Sequence, residues 1–305
     1  MKRSLPSRSI GLCSRRGAAA AAACLLLYAG AACGPAESGP PPECTEADLP
    51  LVPFPEALGD TLEQEGVLAV EVIEDRTAGR TSSRVKVLFH DLGTYVGRQA
   101  PFEFVSENCW IVTGQPVIES PPTPLNASAV VVSGLTPGPV DLGSVSGTYQ
   151  QGFSEAVLGE SAVGLSAQPG PDPAFPAVEA SGPAAAPLEA LRADRPLVNG
   201  DIEMTWTPGE GDYVHLEVVT DDPSDPGNPT RRNRLVCRVV DDGCHAIPVA
   251  GIDWLSTHQS QASVTVERHR ITYQALAPGV LATVDTIQST VDTLDLVEGA
   301  LGSAE

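Results

Sequence analysis

IEMTWTPGEGDYVHLEVV, residues 202 to 219, alternates apolar and polar side chains on both sides of a turn rich in Gly and Pro. Successive side chains of a β-strand point to opposite faces of a sheet, so this period of two predicts two half-buried strands joined by the turn PGEGD. The side chains predicted to point inward are Ile202, Met204, Trp206, Val214, Leu216 and Val218.

The same pattern returns along most of the chain in short segments bounded by Gly and Pro. GVLAVEVIE (66–74) and RVKVLFH (84–90) flank a turn-forming loop, which predicts an antiparallel hairpin. Regular short strands with few helix patterns predict an all-β fold of one or two antiparallel β-sandwiches. Further strands are predicted within FEFVSENCWIVTG (102–114), NASAVVVSGL (126–135), GSVSGTY (143–149), GESAVGLSA (159–167), NRLVCRVV (233–240), ASVTVERHRITYQAL (262–276) and LATVDTIQST (281–290).

Two segments depart from this pattern. Residues 182–199 contain helix formers between prolines, which limit any helix to one turn, and they are predicted to be a connector. The connector divides an N-terminal β region, 61–181, from a C-terminal β-sandwich region, 200–298, which a tail, 299–305, follows. TVDTIQSTVDTLDL (283–296) has apolar residues at heptad spacing, but two heptads are too few for a coiled coil, and its Thr and Val favour a strand.

The N-terminus has the parts of a secretory signal. MKRSLPSRSIGLCSRRG (1–17) carries five basic and no acidic residues, and the apolar run AAAAAACLLLYAGAAC (18–33) follows it. Gly34 and Pro35 end this run before it reaches the ~20 residues of a membrane-spanning helix. Residues 1–32 are therefore predicted to be a cleaved signal peptide of an exported protein.

Two cleavage chemistries compete at the end of this segment. The A-x-A motif at 29–31 fits ordinary signal peptidase, which would release a periplasmic or secreted protein. GAAC (30–33) resembles a bacterial lipobox, although Gly stands where Leu is preferred. Five cysteines remain after residue 32, an odd number for an oxidising compartment, and lipid on Cys33 would leave four that can pair. These disulfide candidates are Cys44, Cys109, Cys237 and Cys244.

The sequence after Cys33 is typical of a lipid-anchored protein. GPAESGPPPE (34–43) is rich in Pro and Gly, which suits an extended tether, predicted here over 33–60. Cys33 is accordingly predicted to carry lipid and to hold the protein at the outer membrane or cell surface.

The acidic composition excludes one class of partner. The formal net charge of the full chain is −21, and the loss of five cations and no anions with residues 1–32 makes the mature chain 26 negative. Such a surface repels phosphate backbones, so a nucleic-acid partner is not expected.

Motifs for catalysis or cofactor binding are scarce, so a non-enzymatic role without a cofactor is favoured. No G-x-S-x-G occurs, and no Gly-rich phosphate loop runs from a strand into a helix. The histidines never recur at metal-ligand spacing, and each is predicted to be a surface or capping residue. Because His269 lies between Arg268 and Arg270, an added positive charge on it is expected to be unfavourable.

One loop offers a calcium site. TDDPSDPGNPT (220–230) holds Asp221, Asp222, Asp225 and Asn228, whose oxygens are the hard ligands that calcium takes. Its prolines break the EF-hand spacing, and a polar hairpin tip built of turn-forming residues is the alternative interpretation.

CRVVDDGCHAIP (237–248) places two cysteines and His245 around an Asp-Asp-Gly turn. Only three metal ligands are local, which disfavours zinc, and the spacing is not the C-x-x-C of a redox site. Disulfide bonding is the main interpretation. A tight turn at Asp242-Gly243 would hold the two sulfurs about 13 Å apart and direct each cysteine elsewhere, whereas a six-residue loop would permit a local bond.

Five segments carry a resemblance to a known group of proteins: PLNASAVVVSGL (124–135), PGPDPAFPAVEASG (169–182), TWTPGEGDYVHLEVV (205–219), LVCRVVDDGCHAIP (235–248) and SVTVERHR (263–270). They cover most of residues 120–270 and resemble exported lipoproteins of myxobacteria and related bacteria, a group with no assigned activity. The resemblance implies a β-sandwich on a lipid tether and no catalytic residue.

Two functions are consistent with these features. The first is a lipid-anchored extracytoplasmic protein with a binding or structural role, whose loops at one end of the sandwich take a protein or glycan partner. The second is a hydrolase with a site assembled from distant residues such as His90, Asp91 and Ser154. An exposed aromatic strip would favour the first, and a His hydrogen-bonded to a carboxylate beside a Ser in a cleft would favour the second.

Overall fold

Twenty strands and one helix form the described part of the chain in the computed structural model. The described residues are 49, 62–93, 96–98, 102–112, 117–145, 148–171, 174–195, 200–221, 233–257 and 259–302. The elements are β1 (Gln64–Asp75), β2 (Arg80–Asp91), β3 (Val96–Arg98), β4 (Phe102–Phe104), β5 (Cys109–Val112), β6 (Val117–Ser120), β7 (Thr123–Pro124), β8 (Ala127–Ser133), β9 (Val140–Leu142), β10 (Ser144–Val145), β11 (Thr148–Phe153), β12 (Val163–Pro169), β13 (Val178–Gly182), β14 (Arg192–Asp194), β15 (Ile202–Thr205), β16 (Tyr213–Thr220), β17 (Asn233–Val239), β18 (Cys244–Ile247), α1 (Val249–Ser256), β19 (Gln261–Ala277) and β20 (Val280–Asp295).

One long sheet of eleven strands organises the molecule. Its order is β10-β11-β2-β1-β20-β19-β16-β17-β5-β4, and β7 pairs with the end of β2. The hairpin predicted from the alternating segments is present as β1 and β2, and β20 confirms the strand predicted at 283–296. All neighbours in this sheet are antiparallel except β1 and β20, which pair in parallel.

Two smaller sheets cover one face of the long sheet, and this layered arrangement confirms the predicted all-β sandwich. The first has the order β13-β12-β8-β9 and the second β14-β15-β18. On β20, Ala282 and Val284 pack in the core under the first sheet, and Leu294 packs in the core under the second. These three residues are separated by even numbers of positions, and side chains on a strand alternate between its two faces. They therefore point the same way, and both cores lie on the same face of the long sheet.

The alternation at 202–219 produces the second core as predicted. Ile202, Met204, Val214 and Leu216 are each 0% exposed, and Leu255 of α1 packs beside them. Each buried side chain of this size contributes roughly 1.5–3 kcal/mol of hydrophobic stabilisation. The short helix α1, which the sequence patterns did not predict, starts after Pro248 and completes this core.

The two cores draw mainly on the two predicted β regions. The first core is built largely from residues before 182, and the second largely from residues after 199. Strands from both regions nevertheless pair within the long sheet, and β14 lies inside the predicted connector. The division at 182–199 itself stays a sequence prediction.

Among the described residues, no helix combines the length and the apolar character needed to cross a bilayer. The predicted signal peptide, Cys33 and Cys44 lie outside the described residues.

Candidate binding face

The long sheet has a second face, opposite both cores, which we call the outer face. On β16, Tyr213, His215 and Glu217 point to this face, because they alternate with core residues. His215 lies across from Arg238 on β17 and across from Glu267 on β19. The outer face therefore brings charged and aromatic side chains from several strands into adjacent rows.

Three aromatic residues lie on the outer face where the sheet ends, and we call Phe102, Phe104 and Trp110 the aromatic strip. Phe104 of β4 pairs in register with Trp110 of β5, which pairs with Val236 of β17. The ring centroids of Phe104 and Trp110 are 6.4 Å apart, and those of Phe102 and Phe104 are 5.2 Å apart. β4 is the terminal strand of the sheet, so the aromatic strip borders its edge.

The strip is exposed to an unusual degree for this protein. Phe102 is 45% exposed and Phe104 is 63% exposed, and among the described residues only Val297 is a further large hydrophobic residue with an exposed side chain. Apolar side chains that are exposed together, rather than singly, are typical of an interaction surface. An exposed aromatic strip is the feature that would favour a binding role over a hydrolase, and the described residues contain one.

A charged histidine lies near the middle of the outer face. His269 Nδ1 lies 3.1 Å from Asp285 Oδ2, and its Nε2 lies 3.5 Å from Glu267 Oε2. Burial alone would lower the pKa of His269, but the hydrogen bonds to the two carboxylates and their charges raise it to about 9. The imidazole is therefore positively charged at neutral pH.

Tyr213 packs between this histidine and an arginine. The rings of Tyr213 and His269 are stacked with centroids 4.5 Å apart, and Arg238 Cζ lies 3.9 Å from the centre of the Tyr213 ring. The two cations come from the strands on either side of β16, so they approach Tyr213 from opposite sides. Cation–π contacts of this kind stabilise the pairing of the three strands.

The prediction that every histidine is a surface or capping residue is wrong for His269 and His245, each only 7% exposed. The expectation that a positive charge on His269 is unfavourable is also wrong. Arg268 points to the opposite face of β19, where it pairs with Asp241, and the nearest charges to His269 are carboxylates. Because side chains alternate between the two faces of a strand, Arg268 and His269 are adjacent in sequence but lie on opposite faces of the sheet. A count of charges along the sequence does not take this separation into account.

The residues named for the hydrolase alternative do not come together. Ser154 follows Phe153, which pairs with Ser83 on β2, whereas His90 lies seven residues further along the same strand. At ~3.3 Å per residue this separation is about 23 Å. His269 is no substitute, because carboxylates already engage both ring nitrogens, and a protonated imidazole cannot act as a general base.

Two of the predicted disulfide candidates are bonded to each other. Cys109 on β5 and Cys237 on β17 are cross-strand neighbours, and their bond joins positions separated by 128 residues. The local bond between Cys237 and Cys244 is therefore absent, since β17 and β18 belong to different sheets and the Asp242-Gly243 turn carries the chain from one to the other.

His245 lies beside this disulfide. Its Nε2 is 3.2 Å from Cys109 Sγ, and the three residues Cys109, Cys237 and His245 form the only compact group of candidate metal ligands among the described residues. Burial lowers the pKa of His245 to about 4, which keeps the ring neutral. The bonded sulfurs are not thiolates, the form that binds metal, so this oxidised group is a structural cluster.

The remaining predicted site residues are described only in part. Cys244 is disulfide-bonded. Cys44, its candidate partner by elimination, lies outside the described residues, and so do Asp222, Asp225 and Asn228 of the predicted calcium loop. The calcium site stays a prediction.

The aromatic strip was not among the residues singled out in the sequence. The stretch FEF at 102–104 does place two of the chain's six phenylalanines at alternate positions around a glutamate. This is the signal that could have identified an exposed apolar face, but it requires knowing that β4 ends the sheet.

No protein-family model matches the chain, and no curated protein has a significantly similar sequence.

Proposed function

We propose that the protein is a lipid-anchored, extracytoplasmic binding module that takes a protein partner on its outer face, at the aromatic strip. The observation that carries this function is the exposure of Phe102 and Phe104 side by side at the sheet edge. Export and the anchor at Cys33 rest on the sequence of residues 1–43.

The orientation of the rings favours a protein over a glycan. The ring planes of Phe102 and Phe104 are 88° apart, and those of Phe104 and Trp110 are 69° apart. Rings turned in this way present edges and clefts in which apolar side chains can pack, rather than one flat platform on which sugar rings could stack.

A catalytic role has less support. Each ring nitrogen of His269 faces a carboxylate, and Ser154 lies far from His90 and Asp91, the other two residues considered for a hydrolase. The outer-face charges are thus largely satisfied by one another, which suits a rigid scaffold for the exposed strip.

Photo-crosslinking in the native host tests this function. A photoreactive phenylalanine analogue placed at Phe104 should give a crosslinked adduct that protease degrades and glycosidase does not. The same analogue at Val297, which is also 63% exposed, is the matched control and should give no such adduct. Equal adducts at both positions, no adduct at Phe104, or an adduct sensitive only to glycosidase would contradict the proposal.

A further inference from the structure

We infer that the partner is an extended, basic protein segment that adds as a strand to the edge of β4 that pairs with no described strand. This inference rests on the proposed function and specifies the chemistry of the partner. Its apolar side chains would contact Phe102 and Phe104, and a Lys or Arg between them would lie opposite Glu103.

The position of β4 supports strand addition. β4 is the last strand in the order of the long sheet, and β5 is its hydrogen-bonded neighbour. In an antiparallel pair, alternate backbone N–H and C=O groups of an edge strand point away from its neighbour and can bind a further strand. Main-chain hydrogen bonds would then provide affinity, and the alternate side chains would provide specificity.

Charge decides which segment fits. Glu103 is exposed between the two phenylalanines, Glu107 is exposed in the turn that follows, and the whole chain carries a net charge of −21. Cross-strand pairs of opposite charge stabilise a sheet, and like charges directly opposite destabilise it. A basic residue facing Glu103 is therefore favoured, and an acidic segment is repelled.

The same argument disfavours a second copy of this chain. Residues 102–104 read Phe-Glu-Phe in both directions, so an antiparallel pair of β4 strands centred on Glu103 would place the two glutamates directly opposite each other. Two strongly acidic molecules would also repel each other over longer distances. Strand addition therefore fits a different, basic chain better than a copy of this one.

Peptide binding to the mature, detergent-solubilised protein tests the inference. The probe is a fluorescently labelled peptide of alternating Val and Lys, and its binding is followed by anisotropy. The comparison peptides alternate Val and Glu, or carry N-methyl groups on the backbone of the Val-Lys peptide. The protein variants are Phe102→Ala/Phe104→Ala, Glu103→Lys and the matched control Val297→Ala.

The Val-Lys peptide should bind, and the Val-Glu and N-methylated peptides should bind at least about tenfold more weakly. Phe102→Ala/Phe104→Ala removes the apolar surface of both rings and should weaken binding by about tenfold or more, whereas Val297→Ala should not weaken it. Glu103→Lys should reverse the preference toward the Val-Glu peptide. Circular dichroism should show that all variants keep the strand content of the unmodified protein.

Several outcomes would overturn the inference. Equal binding of the N-methylated peptide would exclude strand addition, and equal binding of both charge types would exclude the basic segment. Dimerisation that Phe104→Ala abolishes, with no peptide binding, would identify a second copy as the occupant. Each of these results is compatible with a protein adduct at Phe104 in the photo-crosslinking experiment. The inference can therefore fail while the proposed function stands.

Discussion

Arg268 and Asp241 form an ion pair that is almost completely sealed from water: Nε lies 2.8 Å from Oδ2, and both side chains are 2% exposed. The guanidinium also donates to the carbonyl oxygens of Pro187 and Thr207, and Trp206 Nε1 donates to Asp241. The pair thus holds the segment before β14 and the turn after β15 against β19.

Removal of this arginine should strongly destabilise the fold. Arg268→Leu leaves the Asp241 carboxylate buried without its cation. Loss of one partner of a buried ion pair typically costs about 3–5 kcal/mol, so this variant should lose about that much unfolding free energy. Arg270→Leu is the matched control, because Arg270 pairs with the exposed Glu210. This substitution should change the unfolding free energy by less than about 1 kcal/mol. Urea denaturation measures both, and similar losses in the two variants would contradict this role.

His269 should make the stability of the fold decrease as the pH rises from 6.5 to about 9. Its folded pKa of about 9 exceeds the ordinary value of 6.5, so its contribution is fully present below pH 6.5 and is lost as the pH rises through 9. The slope approaches ~1.4 kcal/mol per pH unit between these values, because one proton is released on unfolding. His269→Gln should remove that part of the slope. An NMR titration showing a neutral His269 at pH 7.5 would refute the charged imidazole.

The Cys109–Cys237 bond should stabilise the fold by restricting the unfolded chain between residues 128 apart in sequence. Removal of a native disulfide typically costs about 2–5 kcal/mol, so Cys109→Ala/Cys237→Ala should lose about that much unfolding free energy. Chemical denaturation of the double variant measures this loss. Peptide mapping without reduction should recover Cys109 linked to Cys237, and a Cys237–Cys244 peptide would contradict the strand order around β17.

The proposed lipid on Cys33 would fix the remaining cysteine pairing. Cys109 and Cys237 bond each other, and Cys244 is disulfide-bonded, so a lipidated Cys33 leaves Cys44 as its partner in the mature chain. Cells fed radiolabelled palmitate should label the protein, and Cys33→Ser should abolish the label, while Cys44–Cys244 peptides persist. An unlabelled protein whose N-terminus is Ala32 would show cleavage by ordinary signal peptidase.

Local alternation was enough to predict the strands but not their long-range pairing. The period of two in residues 202–219 identified each core residue there, and the Thr and Val of 283–296 identified β20 as a strand. The parallel pairing of β1 with β20 joins segments more than two hundred residues apart, and no local pattern encodes it. The α1 helix is only eight residues long, too short to give a clear period of 3.6.

The candidate site was harder to predict than the fold because exposure is a tertiary property. Phe102 and Phe104 have the alternation of an ordinary strand, and only the placement of β4 at the sheet edge leaves them in solvent. The roles of Arg268 and His269 could have been anticipated, since a strand sends neighbouring residues to opposite faces. Their partners, Asp241 and Asp285, could not, because they depend on which strands and turns pack together.

Footprinting in intact cells tests the binding surface most directly and requires no knowledge of the partner. Hydroxyl-radical labelling should modify Phe102, Phe104 and Trp110 much less in the native cell envelope than in the purified protein, while Val297 is modified equally in both. Equal modification of the aromatic strip in both preparations would show that the strip is free in the cell, and would contradict its proposed role as the binding site.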